Sequence, residues 1–146
     1  MHIQNLDWNL HTHIGLDLDE TLASTVAGML EEAHRQNKLL SIRSLEDVTK
    51  YDFPGLDPSL TEADSNFVWE SYGKRTVDPQ SIPIVEDAKI WVELFRKRGI
   101  ELSIITARSD DQEWKKPRTL SWVNTHFPDI TEVHFVNHFS KDARPK

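Results

Sequence analysis

The sequence predicts an α/β protein, a three-layer domain built on a parallel sheet, with a helical insertion after the first strand. Apolar residues alternate along 13–19 and dominate 100–106 and 131–136, as in strands. Helical patterns separate these segments, which favours a parallel sheet with crossover helices. The stretch between Asp19 and Thr106 is far longer than one crossover helix requires. We therefore interpret most of it as an inserted helical lid.

Each predicted element follows from a local pattern. Apolar residues at helical spacing predict helices over 20–37 and 59–72, and Gly73 is expected to end the second one. Ser44 is a candidate N-cap for a short helix, and the Pro-Gly pair of 51–55 predicts a turn. The pattern over 83–98 predicts an amphipathic helix that ends before Gly99, and Pro117 is expected to begin a helix over 117–126. In helix 59–72, Leu60, Ala63 and Phe67 are expected to face inward, with Val68 as a further candidate.

Composition narrows the function classes. The 146 residues carry a net charge of −7, which argues against binding a nucleic-acid polymer through a basic surface. The chain has no cysteine, and this excludes disulfides and thiolate chemistry. No apolar run approaches the roughly 20 residues of a membrane span. We expect a cytoplasmic protein that does not bind membranes, and a small anionic substrate is compatible with the acidic charge because a local site can be positive.

Two aspartates mark the candidate site. Asp17 and Asp19 stand at the end of the first predicted strand, and Thr106 ends the second. Ligands of parallel sheets bind beyond the carboxyl ends of the strands. Two neighbouring carboxylates repel each other unless a cation lies between them, and Mg²⁺ prefers such oxygen ligands. These residues predict a magnesium site at the carboxyl edge of the sheet.

The sequence resembles the haloacid dehalogenase (HAD)-like hydrolases. Gly-Leu-Asp-Leu-Asp-Glu-Thr-Leu at 15–22 resembles their first motif, although Glu20 stands where glycine is common, and Ser-Ile-Ile-Thr-Ala-Arg at 103–108 resembles the second. The resemblance covers about residues 12–146 and is greatest to the 5′(3′)-deoxyribonucleotidase-like branch. It implies a Rossmann-like core over 12–23 and 83–146 and a C1-type helical cap over 24–82.

The resemblance implies a Mg²⁺-dependent phosphatase that hydrolyses a small phosphorylated metabolite, with a 5′-nucleotide as the expected substrate. Asp17 would be the nucleophile, and Asp19 would be the general acid and then the general base. Asp17 and the carbonyl of Asp19 would bind the metal. Thr106 would stabilise the phosphoryl oxygens, and Thr21 would support the nucleophile loop. The family also uses a lysine that holds the nucleophile and the phosphate. Lys146 would be this lysine, with Lys141 as the alternative.

Part of the family pattern is missing. Its fourth motif, an acidic pair at the end of a further strand, should follow the lysine, and the sequence ends at Lys146. Residues 142–146 have the form of a helix start, so we expect the chain to be C-terminally truncated and doubt that these 146 residues are active. The absent strand would lie beside the first strand. An edge left uncovered could promote pairing into a homodimer.

Three alternatives stay open at this stage. The string at 17–22 also resembles phosphoprotein phosphatases, which carry a smaller insertion. The missing acidic motif favours a non-catalytic module that binds phosphate or a partner. Arg108 is a candidate ligand of a substrate phosphate, but an ion pair with Asp110 or Asp111 is an equal interpretation.

Overall fold

The computed structural model describes residues 13–50, 52–75, 82–108 and 115–136. Within these ranges the chain divides into two units. One unit comprises the described residues of 1–22 and 84–146, and the other comprises those of 23–83. The first contains every strand of the described chain, and the second is helical.

The first unit is built on a three-stranded parallel sheet. Its strands are β1 (His13–Asp17), β2 (Glu101–Thr106) and β3 (Glu132–Phe135), in the order β1-β2-β3. Asp17 lies opposite Ile105 of β2, and Thr106 lies opposite Phe135 of β3. The predicted α/β class and the parallel sheet are confirmed. Because the strands run in the same direction, the segments that follow β1 and β2 leave the sheet at the same edge.

The two faces of the sheet differ in burial. Ile104 and Thr106 have no exposed surface, whereas Ile105 points to the other face and is 45% exposed. Trp122, Val123 and Ile130 add large buried side chains to this unit. The core of the unit therefore includes one side of β2 and the inner side of the helix that follows it.

Two helices belong to this unit, α4 (Ala88–Lys97) and α5 (Lys115–His126). Ala88 and Val92 are buried in α4, as expected for an amphipathic helix. The prediction that this helix begins at residue 83 is wrong. The N–H of Val85 donates to the carbonyl of Leu22, and Asp87 has a left-handed backbone with φ 64°, so the helix begins only after Asp87.

The second unit contains the helices α1 (Thr25–Arg35), α2 (Phe53–Leu56) and α3 (Glu62–Arg75), with a 3₁₀ turn at Leu45–Asp47. Two predicted boundaries are wrong. The first helix begins at Thr25 rather than residue 20, since residues 18–22 form a turn closed by the Leu22 N–H on the Leu18 carbonyl. In the predicted turn at 51–55, the described residues 52–55 do not form a simple turn, because Asp52 caps the single helical turn of α2 by accepting from the Gly55 N–H.

Helix α3 departs most from prediction. Gly73 lies inside it, and Ala63 and Phe67, both expected to face inward, are exposed, Phe67 by 59%. Val68, the further candidate, is buried, as are Ser65 and Tyr72 at helical spacing of three and four residues from it. The Tyr72 ring and its hydroxyl occupy the space that a Cβ at Gly28 would need. The close approach of α1 and α3, which the sequence pattern does not encode, sets which side of α3 is buried.

In the described part of the chain, no helix combines the length and apolar character that crossing a membrane requires. Residues 137–146 lie outside the described ranges, so the expected truncation stays a prediction.

A charged contact joins the second unit's α1 end to α3. Lys38 donates a hydrogen bond to Asp64, and Asp64 also accepts from the N–H and hydroxyl of Thr61 at the start of α3. The Lys38 contact, followed by the two from Thr61, lowers the pKa of the Asp64 carboxyl from 3.8 to about 2. Ionised Asp64 therefore favours the folded state.

This pKa predicts how stability responds to acid. A carboxyl whose pKa falls on folding stabilises the protein above its unfolded pKa of 3.8 and loses that contribution as the pH falls toward 2. We expect Asp64→Asn to lower the free energy of unfolding at pH 6 and to approach the parent chain's stability as the pH falls through this window. Urea unfolding at a series of pH values measures the difference. A difference independent of pH between 6 and 2 would contradict the assignment, and a Lys38→Met background should reduce the pH-dependent part.

Candidate active site

The candidate site begins where β1 ends. Asp17 is the last residue of β1, and its side chain is exposed. One of its carboxylate oxygens, Oδ1, accepts the N–H of Leu18 at 2.7 Å. Leu18 itself has no exposed surface. The buried leucine fixes the chain at the end of the strand and leaves the carboxylate beside it facing outward.

A tight turn carries the second aspartate away from the strand. The Leu22 N–H donates to the Leu18 carbonyl at 2.9 Å, and Glu20 has a positive φ of 58°. A left-handed backbone is costly for a residue with a Cβ and easy for glycine. This φ gives a conformational reason why glycine suits position 20 in the resembling motif.

Asp19 forms an ion pair with Arg108, two residues beyond the end of β2. Arg108 Nη2 donates to Asp19 Oδ1 at 2.6 Å, and Nε lies 3.1 Å from Oδ1 and 3.0 Å from Oδ2. The side chains are 33% exposed at Asp19 and 21% at Arg108. The guanidinium therefore contacts both oxygens of the carboxylate in a partly buried position, where screening by solvent is weaker than at the surface.

Two threonines hold Arg108 in place. The N–H of Arg108 donates to Thr106 Oγ1 at 3.2 Å, and Nη1 donates to Thr119 Oγ1 at 3.2 Å. Thr119 lies on α5, is 2% exposed and donates its own hydroxyl proton to the carbonyl of Lys115. The β1 turn, the β2 loop and α5 thus meet at one guanidinium.

The structure unites only some of the residues expected from sequence. Asp19, Thr106 and Arg108 belong to one hydrogen-bonded group, and Asp17 stands at the same edge of the sheet. Thr106 has no exposed surface, and Thr21 is exposed on the turn after Asp19. Lys141 and Lys146 lie outside the described residues. The roles that the resemblance assigns to these side chains stay predictions.

Sequence reasoning missed the partner of Arg108 and the part played by Thr119. An ion pair of Arg108 with Asp110 or Asp111, the equal alternative to phosphate binding, stays a prediction because both aspartates lie outside the described ranges. Asp19 and Arg108 each stand two residues past the ends of adjacent parallel strands, so the topology would have pointed to the pair. Thr119 lies at the spacing of the buried Trp122 and Val123 on α5, and a polar residue on such an apolar side was the available signal.

The donor set at this edge suits a hard cation. Asp17 and the Asp19 carbonyl offer oxygen atoms only, the chemistry that Mg²⁺ prefers. Among the described residues no group of three or more acidic or histidine side chains could hold a metal ion. Mg²⁺ is commonly bound by one or two carboxylates with waters and substrate phosphate. The residues present therefore fit a magnesium ion that completes its shell with water and substrate.

Comparison with known proteins gives a distant likeness of fold. No model of a known protein family matches the sequence, and no curated protein sequence matches it. Among solved structures, the HAD-hydrolase YfnB from Bacillus subtilis, crystallised with magnesium, matches with a TM-score of 0.46 and 15% identity. The match covers 84% of this chain and 64% of that protein.

The left-handed turn makes a prediction about stability. Glycine at position 20 relieves the backbone strain, whereas valine increases it, and both substitutions remove the glutamate side chain equally. We expect Glu20→Gly to exceed Glu20→Val in free energy of unfolding by about 1 kcal/mol or more. Urea denaturation of the two variants measures the difference. Equal stabilities would mean that residue 20 does not have a left-handed backbone in solution.

Proposed function

We propose that this protein is a Mg²⁺-dependent HAD-like phosphatase that hydrolyses a small phosphomonoester, and that it belongs to the 5′(3′)-deoxyribonucleotidase-like branch. The observation that carries the proposal is an exposed carboxylate, Asp17, at the carboxyl edge of a parallel sheet whose next strand is followed by the anchored cation Arg108. The segments 15–22 and 103–108 also support the proposal, because they resemble the first and second motifs of the HAD-like hydrolases. We assign 12–23 and 83–146 to the catalytic core and 24–82 to the cap.

The proposed reaction has two steps. A carboxylate oxygen of Asp17 attacks phosphorus, the bond to the ester oxygen breaks, and Asp19 gives the departing alkoxide a proton. Water then attacks phosphorus of the aspartyl-phosphate, Asp19 takes its proton, and inorganic phosphate leaves with the Asp17 carboxylate restored. The Leu18 N–H on Asp17 Oδ1 fixes one oxygen and so orients the other.

The remaining residues would bind the phosphoryl group. Thr106 has no exposed surface, and its Oγ1 accepts the main-chain N–H of Arg108, so it would donate its own proton to a phosphoryl oxygen only where a bound ester opens the site. Lys146, or Lys141 in its place, would neutralise negative charge. Asp17 and the Asp19 carbonyl would hold Mg²⁺, which reduces the repulsion between a carboxylate and a phosphate anion.

Removing the nucleophile tests the proposal directly. Asp17→Asn keeps the size of the side chain but supplies no carboxylate to attack phosphorus. We expect phosphate release from a panel of 5′-nucleotides to fall by roughly 10³-fold or more. Asp129→Asn is the matched control, because it makes the same chemical change at the opposite end of β2 from Asp17. Asp129 lies there in an exposed ion pair with Arg96. Phosphate release by Asp17→Asn at the measurable rate of the parent chain would refute the assignment.

Metal removal gives a second test. We expect EDTA to abolish phosphate release and added Mg²⁺ to restore it, since the attack joins two anions and a divalent cation would reduce their repulsion. Release of phosphate is measured with and without each reagent. Full activity in EDTA would contradict the magnesium dependence.

Two other functions are distinguished from this one by which phosphorylated compounds the protein hydrolyses or binds. A phosphoprotein phosphatase would release phosphate from phosphopeptides in preference to nucleotides and sugar phosphates. A non-catalytic phosphate-binding module is favoured by the engagement of both Asp19 oxygens by Arg108. Such a module would bind inorganic phosphate but release none from any substrate, with Mg²⁺ present and with a C-terminal extension that supplies an acidic motif.

A further inference from the structure

The contacts of Arg108 raise a conflict inside the proposed site. Its guanidinium engages both oxygens of Asp19, the residue proposed to exchange a proton with the ester oxygen and with water. A carboxylate covered in this way by a guanidinium is directed toward the arginine rather than toward a substrate. Catalysis at Asp19 therefore requires that this contact be broken or rearranged.

A phosphoryl group is the natural competitor for the same guanidinium. Arginine recognises carboxylate and phosphate through the same planar arrangement of N–H donors, and both can be bound by two donors at once. A phosphate monoester carries more negative charge than one carboxylate. Arg108 is partly exposed and stands at the edge where the phosphoryl group would bind, so a bound ester and Asp19 would compete for it.

The anchoring of Arg108 allows such an exchange. The Arg108 N–H bonded to Thr106 Oγ1 belongs to the main chain, and the contact of Nη1 with Thr119 lies apart from the Nε and Nη2 contacts with Asp19. Thr119 is buried on α5 and is itself fixed by the Lys115 carbonyl. It therefore offers a fixed contact about which the guanidinium could turn while its other donors change partner.

We propose that Arg108 is a counterion exchanged between Asp19 and the substrate, pairing with Asp19 when the site is empty and with phosphoryl oxygens when it is filled. Binding of the ester thereby releases Asp19 for proton transfer. Thr119 is the positioning residue on which Arg108 turns. This inference rests on the proposed function and adds to it the coupling between substrate binding and the freedom of Asp19.

A double-mutant cycle on phosphate binding tests the exchange. Inorganic phosphate is titrated in Mg²⁺ buffer into the parent chain, Asp19→Asn, Arg108→Gln and the double variant, with affinities measured by calorimetry. If Asp19 competes for Arg108, Asp19→Asn should tighten phosphate binding when Arg108 is present. This tightening should exceed the effect of the same substitution in the Arg108→Gln background by about fivefold or more. Equal effects in the two backgrounds, or no phosphate binding to the parent chain at millimolar concentration, would overturn the exchange.

Two controls separate exchange from a general effect of charge. Asp17→Asn also removes a carboxylate near the bound phosphate, but this carboxylate is not the one paired with Arg108. Its effect on phosphate affinity should therefore be the same with and without Arg108. Arg96→Gln removes a cation from the ion pair with Asp129 and should leave phosphate affinity unchanged. If the Asp17 cycle shows the same coupling as the Asp19 cycle, the Asp19–Arg108 contact is not its source and the proposal fails.

The role of Thr119 is tested by the presence of its hydroxyl. Thr119→Val keeps the shape of the side chain and should weaken phosphate binding several-fold, whereas Thr119→Ser should restore the parent affinity. Equal unfolding midpoints for the valine and serine variants would show that the difference does not come from folding. Equal phosphate affinities for these two variants would remove Thr119 from the mechanism.

Failure of this inference is distinguishable from failure of the proposed function. The cycle measures binding of inorganic phosphate, whereas the function is judged by phosphate release from esters, with Mg²⁺ present and with a C-terminal extension that supplies an acidic motif. Coupling without release would support the exchange and refute the phosphatase. Release without coupling would support the phosphatase and refute the exchange.

Discussion

The parallel pairing of β1 with β2 is the constraint on which the site depends. It sets Asp17 opposite Ile105, so both strands end at nearly the same level and in the same direction. The turns that follow then begin side by side, although Asp19 and Arg108 are 89 residues apart in the chain. An antiparallel pairing would send the two turns to opposite ends of the sheet. The ion pair between them is thus a consequence of strand direction.

The partly buried ion pair between Asp19 and Arg108 costs hydration free energy and also has a proposed role in binding a ligand. Charges in a partly buried place lose hydration, and the loss is offset only when their hydrogen bonds are made. Arg108 meets this condition through Asp19 and Thr119, and its main-chain N–H through Thr106. Removing one partner would leave the other charge poorly compensated. A competing anion that replaces Asp19 keeps the guanidinium compensated, so an anionic ligand is a change that this arrangement can accommodate.

In the helical unit of 23–83, helix packing is determined by a different set of contacts. Its helices meet where Gly28 leaves room for the Tyr72 ring and where Lys38 contacts Asp64. The first contact requires the absence of a side chain, and the second requires opposite charges on segments distant in sequence. Both determine how α1 and α3 pack. Neither depends on the residues that form the candidate site.

The sequence alone determined the class of the fold and the order of its strands and helices, because alternating and helical hydrophobic patterns are local. It also determined which strand ends carry the candidate residues. Only the tertiary structure decided that Arg108 contacts Asp19, that Thr119 supports it and that Phe67 faces outward on α3. These features depend on which segments meet in space. A chain's periodicity records whether a side chain is apolar, but the identity of its neighbour is set by strand direction and helix approach.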